Sequence, residues 1–141
     1  KFPLINLHPA LPNGPKGTWQ EVIRELIKSD AQKTGLMIHR VTAEVDLGPI
    51  LATCEFKLDD AKFNDARQST KEGTNLDESE LFKLIREETV KRESPFVTTL
   101  LQEISQGKIP IQRISELTNI PSEKYLPIDL TVKIEQLLEK N

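Results

Sequence analysis

Three side chains with reactive potential stand close together in the sequence or across one connection: Asn6, His8 and Asp46. They belong to Ile5-Asn6-Leu7-His8-Pro9-Ala10-Leu11-Pro12 and to Asp46-Leu47-Gly48-Pro49-Ile50, and in each stretch the polar group sits where an apolar run stops. An amide that donates hydrogen bonds, an imidazole of the kind that exchanges protons near neutral pH, and a carboxylate could converge from two strand ends on one small site. Each also has an ordinary explanation. Asparagine before a turn commonly binds backbone, histidine before proline commonly ends a strand, and Asp-Leu-Gly-Pro is a common turn sequence.

The elements that must position these groups are readable from period and punctuation. Phe2 to Leu7 is an apolar run that Pro9 stops, which predicts a buried strand ending by His8. Leu11 to Gly17 is a loop marked by proline and glycine. Thr18 with Glu21 forms a capping-box pattern, and Trp19, Val22, Ile23, Leu26 and Ile27 recur at helical spacing, so a helix is expected from about Trp19 to Ser29. Leu36 to Val41 and Ile50 to Leu58 read as strands, the second with Cys54 and Phe56 on one face and Glu55 and Lys57 on the other. Asp59 to Asp77 is polar without a sustained period and reads as a long surface loop. Asp77 to Gln106 is helical by pattern, with Pro95 expected to kink or split it and Gly107 to stop it. Ile109 to Ile114 reads as a final strand or edge. In the stretch 121–141, a C-terminal extension, Leu130, Ile134, Leu137 and Leu138 mark one face of a short amphipathic helix.

A helix between Leu7 and Gly35 suits a parallel crossover, whereas the short connection through Asp46 suits antiparallel neighbours. The class is therefore α/β, with a mixed sheet flanked by helices. With 141 residues and 37% apolar side chains the chain can form one small domain or part of a larger one. A formal net charge of -3 gives no broad basic field for nucleic acid. No apolar run approaches a membrane span, no signal pattern opens the chain, and the single Cys54 makes no internal disulfide, so a cytoplasmic protein is expected. No Cys/His cluster has metal-ligand spacing. Lys16 between Gly14 and Gly17 is not a phosphate-binding P-loop. Trp19 reads as core, Cys54 as a small buried hydrophobe, and Arg86, Glu87, Glu88, Lys91, Arg92 and Glu93 mostly as a solvated helix face with close charge pairs.

The two motifs together resemble the folate-dependent formyltransferases, whose pattern is Asn-x-His-Pro-(Ser/Ala)-Leu-(Leu)-Pro followed by Asp-x-Gly-Pro-Ile. Matching positions are Asn6, His8, Pro9, Leu11 and Pro12, then Gly35, His39, Val41, Thr42, Asp46, Gly48 and Pro49. Among these enzymes the chain is most similar to those acting on glycinamide ribonucleotide in purine biosynthesis. The resemblance implies the C-terminal, catalytic and folate-binding part of a Rossmann-like fold, spanning 1–141, with the glycine-rich half preceding Lys1. It also implies 10-formyltetrahydrofolate as formyl donor and an amine as acceptor. By the same resemblance Asn6 stabilises a developing oxyanion, His8 carries charge or a proton, and Asp46 holds the imidazole or a water. Leu11, Pro12, His39, Gly48 and Pro49 would then bind the folate.

Two departures bear on this. The family's long helix presents a glutamate about five residues before its proline, and Val90 stands there instead, which puts the acceptor in question. The expected partner half is absent, so the chain alone is expected to be inactive, and its open sheet edge to favour a homodimer or association with that half. A formyltetrahydrofolate hydrolase and a non-catalytic folate-binding or regulatory domain are the alternatives.

Overall fold

The computed structural model describes residues 4–41, 43, 48–109 and 127–140. In chain order these form β1 (Ile5–His8), α1 (Trp19–Lys28), β2 (Lys33–Arg40), β3 (Ile50–Lys57), α2 (Ala61–Ser69), a 3-10 turn (Leu76–Glu78), α3 (Glu80–Ser105), β4 (Ile128–Asp129) and α4 (Thr131–Glu139). The four strands make one sheet in the order β1-β2-β3-β4. The first three are antiparallel neighbours and β4 joins β3 in parallel, so the sheet is mixed as expected.

One expected direction is corrected. β1 and β2 run antiparallel, with Asn6 opposite His39 and His8 opposite Met37, although a helix separates them in sequence. The loop before α1 and the turn after it bring the chain back alongside β1 instead of crossing over it. β1 is also an outer strand, not a buried one: Leu4 is 66% exposed and Ile5 37%.

Alternation divides the sheet into two faces. Leu7, Leu36, Ile38, Ala52, Cys54 and Phe56 share the face that carries the core, against which α3 and α4 pack. Asn6, His8, Gly35, Met37 and His39 share the other. α1 begins with the expected capping box, Thr18 N–H donating to Glu21 Oε2 at 2.7 Å and Glu21 N–H to Thr18 Oγ1 at 3.3 Å. Its buried residues are Val22, Ile23 and Leu26, and Trp19 meets Phe82 of α3 with ring centroids 5.9 Å apart.

The stretch read as a long loop contains α2. Asp60 caps it by accepting from Phe63 N–H, and burial of Phe63 and Ala66 anchors it. Pro95 does not split α3, which runs as one 26-residue helix to Ser105 with Gly107 at φ 75 beyond it. Phe96 and Leu100, both fully buried, hold the helix on the core just past the missing hydrogen bond. The expected strand from Ile109 lies outside the described residues from Pro110 onward. α4 docks through Leu130 and Ile134, and Thr131 Oγ1 accepts from Glu55 N–H at 2.9 Å.

The expected solvated face of α3 is also corrected in part. Glu88 and Arg92 are buried, because the Arg92 guanidinium lies 4.3 Å from the Phe56 ring and reaches Glu135 of α4. Among the described residues no helix is long and apolar enough to cross a membrane.

Candidate functional site

Pairing of β1 with β2 brings Asn6 and His39 face to face, and the Asn6 Nδ2 to His39 Nε2 distance is 3.3 Å. An amide N–H can only donate, so His39 Nε2 accepts. His39 Nδ1 lies 3.2 Å from the Arg40 carbonyl and donates there, so both contacts fit one neutral tautomer. Asn6 is exposed, and its remaining N–H and Oδ1 have no protein partner among the described residues. This amide is oriented at one end and open at the other.

His8 stands two residues further along the same face and is only 6% exposed. Its Nε2 lies 3.3 Å from the Pro15 carbonyl, which accepts the ring N–H. The loop from Ala10 to Gly17 thus folds back over β1. A turn closed by Gly14 N–H donating to Leu11 carbonyl at 2.8 Å, with Asn13 at φ 65, gives the loop its shape. It settles on the sheet at Gly35, where an added Cβ would come within 2.1 Å of the Cys54 carbonyl oxygen and 2.6 Å of Leu11 Cδ2. Glycine is required there by close approach, not by backbone angle.

Gly48 is buried and Pro49 half-buried at the start of β3. The Pro49 carbonyl accepts from Arg40 N–H at 2.9 Å, and Ile50 stands opposite His39 beside a bulge in the register. Asn6, His39 and the Gly48-Pro49 segment therefore meet at one end of β2. His8 and the half-buried Leu11 lie further along the same face. Pro12 is half-buried in the turn. Asp46 lies outside the described residues.

The resemblance places His39 in the donor pocket, and in the structure its ring meets the Asn6 amide and the Arg40 carbonyl at the end of β2 where Gly48 and Pro49 also stand. Sequence reasoning passed over the Pro15 carbonyl altogether. A backbone oxygen leaves no side-chain signal, and only the fold of the loop reveals it. Among the described residues no group of His, Cys, Asp and Glu side chains could hold a metal ion.

The sequence pattern of the formyl transferase family matches residues 1–83, more than half of the chain's 141 residues. That span contains both motifs and stops within α3. No curated protein and no solved structure matches the chain.

Proposed function

The chain belongs to the formyl transferase family, and from that premise we propose that it moves a formyl group from 10-formyltetrahydrofolate to an amine, with Asn6, His8 and Asp46 as catalytic groups. The observation that carries this reading is the Asn6 amide, held at 3.3 Å by His39 and otherwise open, with the His8 imidazole on the same face. The donor supplies the formyl carbon and its oxygen. As the acceptor nitrogen bonds to that carbon, negative charge builds on the oxygen, and the second Asn6 N–H donates to it. A preorganised donor of this kind contributes about 3–4 kcal/mol to the barrier.

As the tetrahedral species collapses, the bond from the formyl carbon to the donor nitrogen breaks. His8 delivers a proton to that nitrogen and recovers the one the acceptor amine gives up, and the Pro15 carbonyl orients its ring until then. His39 acts through Asn6 by fixing which way the amide points. Asp46 enters by its place in the second motif. The residues present fit the donor: the open amide suits a formyl oxygen, and half-buried Leu11, Pro12 and Pro49 offer rigid, mostly apolar walls for its ring. Glycinamide ribonucleotide is the acceptor proposed first, in purine biosynthesis, and the mixed sheet would be the catalytic part of a Rossmann-like domain.

The test is formyl transfer by the full-length protein, followed as acceptor-dependent release of tetrahydrofolate. Turnover with glycinamide ribonucleotide supports the whole reading. Turnover only with another amine keeps the chemistry and removes the acceptor. Release of formate without an acceptor, or no release at all, overturns the transfer reading.

A further inference from the structure

On the outer face of the sheet, β1 and β2 set four residues at the corners of a rectangle, with Asn6 opposite His39 and His8 opposite Met37. Alternate residues of a strand share a face, so all four stand on the same side. Val41 N–H donates to the Leu4 carbonyl at 2.8 Å, and the same register makes hydrogen-bonded pairs of Asn6 with His39 and of His8 with Met37. In such pairs the α-carbons lie about 5.5 Å apart, close enough for neighbouring side chains to act on one bound group. Asn6, His8 and His39 have parts in the transfer reading, and Met37 has none.

Met37 is the chain's single methionine, and packing of the core does not explain it. It is half-buried, yet it belongs neither to the buried core on the opposite face nor to the half-buried side chains that pack against that core. Its neighbours on its own face are His8 across on β1, Thr53 across on β3, and Gly35 two residues earlier, which has no side chain. Leu11 Cδ2 lies over Gly35, 2.6 Å from where a Cβ would stand, and supplies the apolar neighbour that Gly35 lacks. A thioether set between polar residues, away from the core and partly open, has apolar surface to offer a ligand.

We propose that Met37 is a specificity-determining contact for the formyl donor, its thioether lying against the aromatic ring attached to the reacting nitrogen. The proposal rests on the formyl-transfer reading. His8 must come within hydrogen-bond reach of the donor nitrogen that leaves, and in 10-formyltetrahydrofolate that nitrogen is bonded directly to an aromatic ring. The residue paired with His8 on the same face is the one next to that ring. Methionine sulfur makes favourable contacts with aromatic rings at about 5 Å, and its unbranched chain adapts to where the ring lies.

The test uses the full-length protein with isotope-labelled methionine methyl groups, the Met37 signal being the one that Met37→Leu removes. Folinic acid is the probe, because it keeps the aromatic ring and carries no formyl group on the reacting nitrogen, so binding is read without turnover. A saturable ring-current shift of the Met37 methyl signal is expected. In transfer assays Met37→Leu, a volume-conserving change, should raise the donor KM about two- to ten-fold, the range of a sulfur–aromatic contact. Its kcat should stay within about two-fold, since the contact is shared by ground and transition states. Amide shifts in β1 and β2 that saturate while the Met37 methyl stays still, or a donor KM unchanged in Met37→Leu, would overturn the proposal and leave the transfer reading standing. A shifted Met37 methyl in a protein without turnover would keep the contact and remove the transfer step. Absence of any saturable shift at millimolar folinic acid overturns the contact whether or not the protein turns over.

Discussion

The outer face at β1 and the α3–α4 junction hold their polar groups by different means. On the outer face, Asn6 and His8 are each held by one hydrogen bond of 3.3 Å, to His39 and to the Pro15 carbonyl. At the junction, Arg92 donates to Glu135 at 2.8 Å, to Glu88 Oε2 at 2.7 Å and to the Glu88 carbonyl at 2.8 Å, above the Phe56 ring. Burial pushes the Glu88 carboxyl up, but hydrogen bonds from Lys62, Lys91 and Arg92 outweigh it and hold the group at about 2. Burial pushes the nearby Cys54 thiol up to about 12, so it stays protonated and inert at neutral pH. Strong perturbation of titrating groups often marks a functional site. Here it marks the joint between helices, and the candidate chemistry sits on a lightly tethered, exposed amide beside a buried imidazole.

The comparison breaks most readily at Arg92. Arg92→Ala takes a buried guanidinium from the Phe56 ring and from two carboxylates, leaving Glu135 without its partner and Glu88 with Lys62 and Lys91 alone, and should cost about 3 kcal/mol of stability. Urea denaturation measures it. A loss below about 1 kcal/mol, the range of exposed ion pairs, would show that the junction is no more constrained than the outer face. Replacing Arg92, Glu88 and Glu135 together by apolar residues of similar volume should restore most of the loss, since the penalty comes from leaving charges unpaired.

Asn6→Ala probes the other side. Formyl transfer by the full-length protein should slow about 10²–10³-fold, as when a preorganised oxyanion donor is removed. Stability should stay within about 0.5 kcal/mol, because the side chain is exposed and makes one neutral contact. Destabilisation on the scale of Arg92→Ala would erase the distinction between the two regions.

Acid sharpens the contrast. Glu88 has a folded-state value lowered to about 2 from 4.5, so its stabilisation is complete above the higher value and is lost as pH falls through the lower one. By linkage the loss between them is up to about 3 kcal/mol. Glu88→Gln should flatten the fall in stability across that window, read as the denaturation midpoint at successive pH values. An equal slope in both proteins would remove Glu88 as the source.

What the sequence discloses follows the same division. The capped, periodic start of α1 and the alternation of Cys54 to Lys57 are legible because each residue's partners are local or face a single core. The pairing of Asn6 with His39 is not, since it depends on β1 and β2 being antiparallel, and a helix-bearing connection is the usual sign of a parallel crossover. α2 escapes notice because Phe63 and Ala66 are its only buried residues, too few to establish a period. Arg92 reads as surface because an arginine's burial is decided by what lies across from it, here Phe56 and Glu135, which are distant in sequence. The two motifs name candidate residues by type and order, while the Pro15 contact to His8 arises from loop geometry alone.

The smallest expected effect tests whether that loop geometry matters to His8. Thr18 and Glu21 close the start of α1 by reciprocal hydrogen bonds, and they do so directly after Gly17, whose φ of 106 turns the chain into the helix. Pro15 stands three residues before the cap, so loosening the cap frees the segment whose carbonyl receives the His8 N–H. Thr18→Ala should cost about 1 kcal/mol of stability, the usual value of an N-cap. If the Pro15 contact orients His8, transfer should slow a few-fold at saturating substrate with little change in KM, since a misdirected proton donor affects the chemical step more than binding. Thr18→Ser keeps a capping hydroxyl and should retain both stability and rate. A stability loss with an unchanged rate would separate the cap from the site and leave His8 positioned by its strand alone.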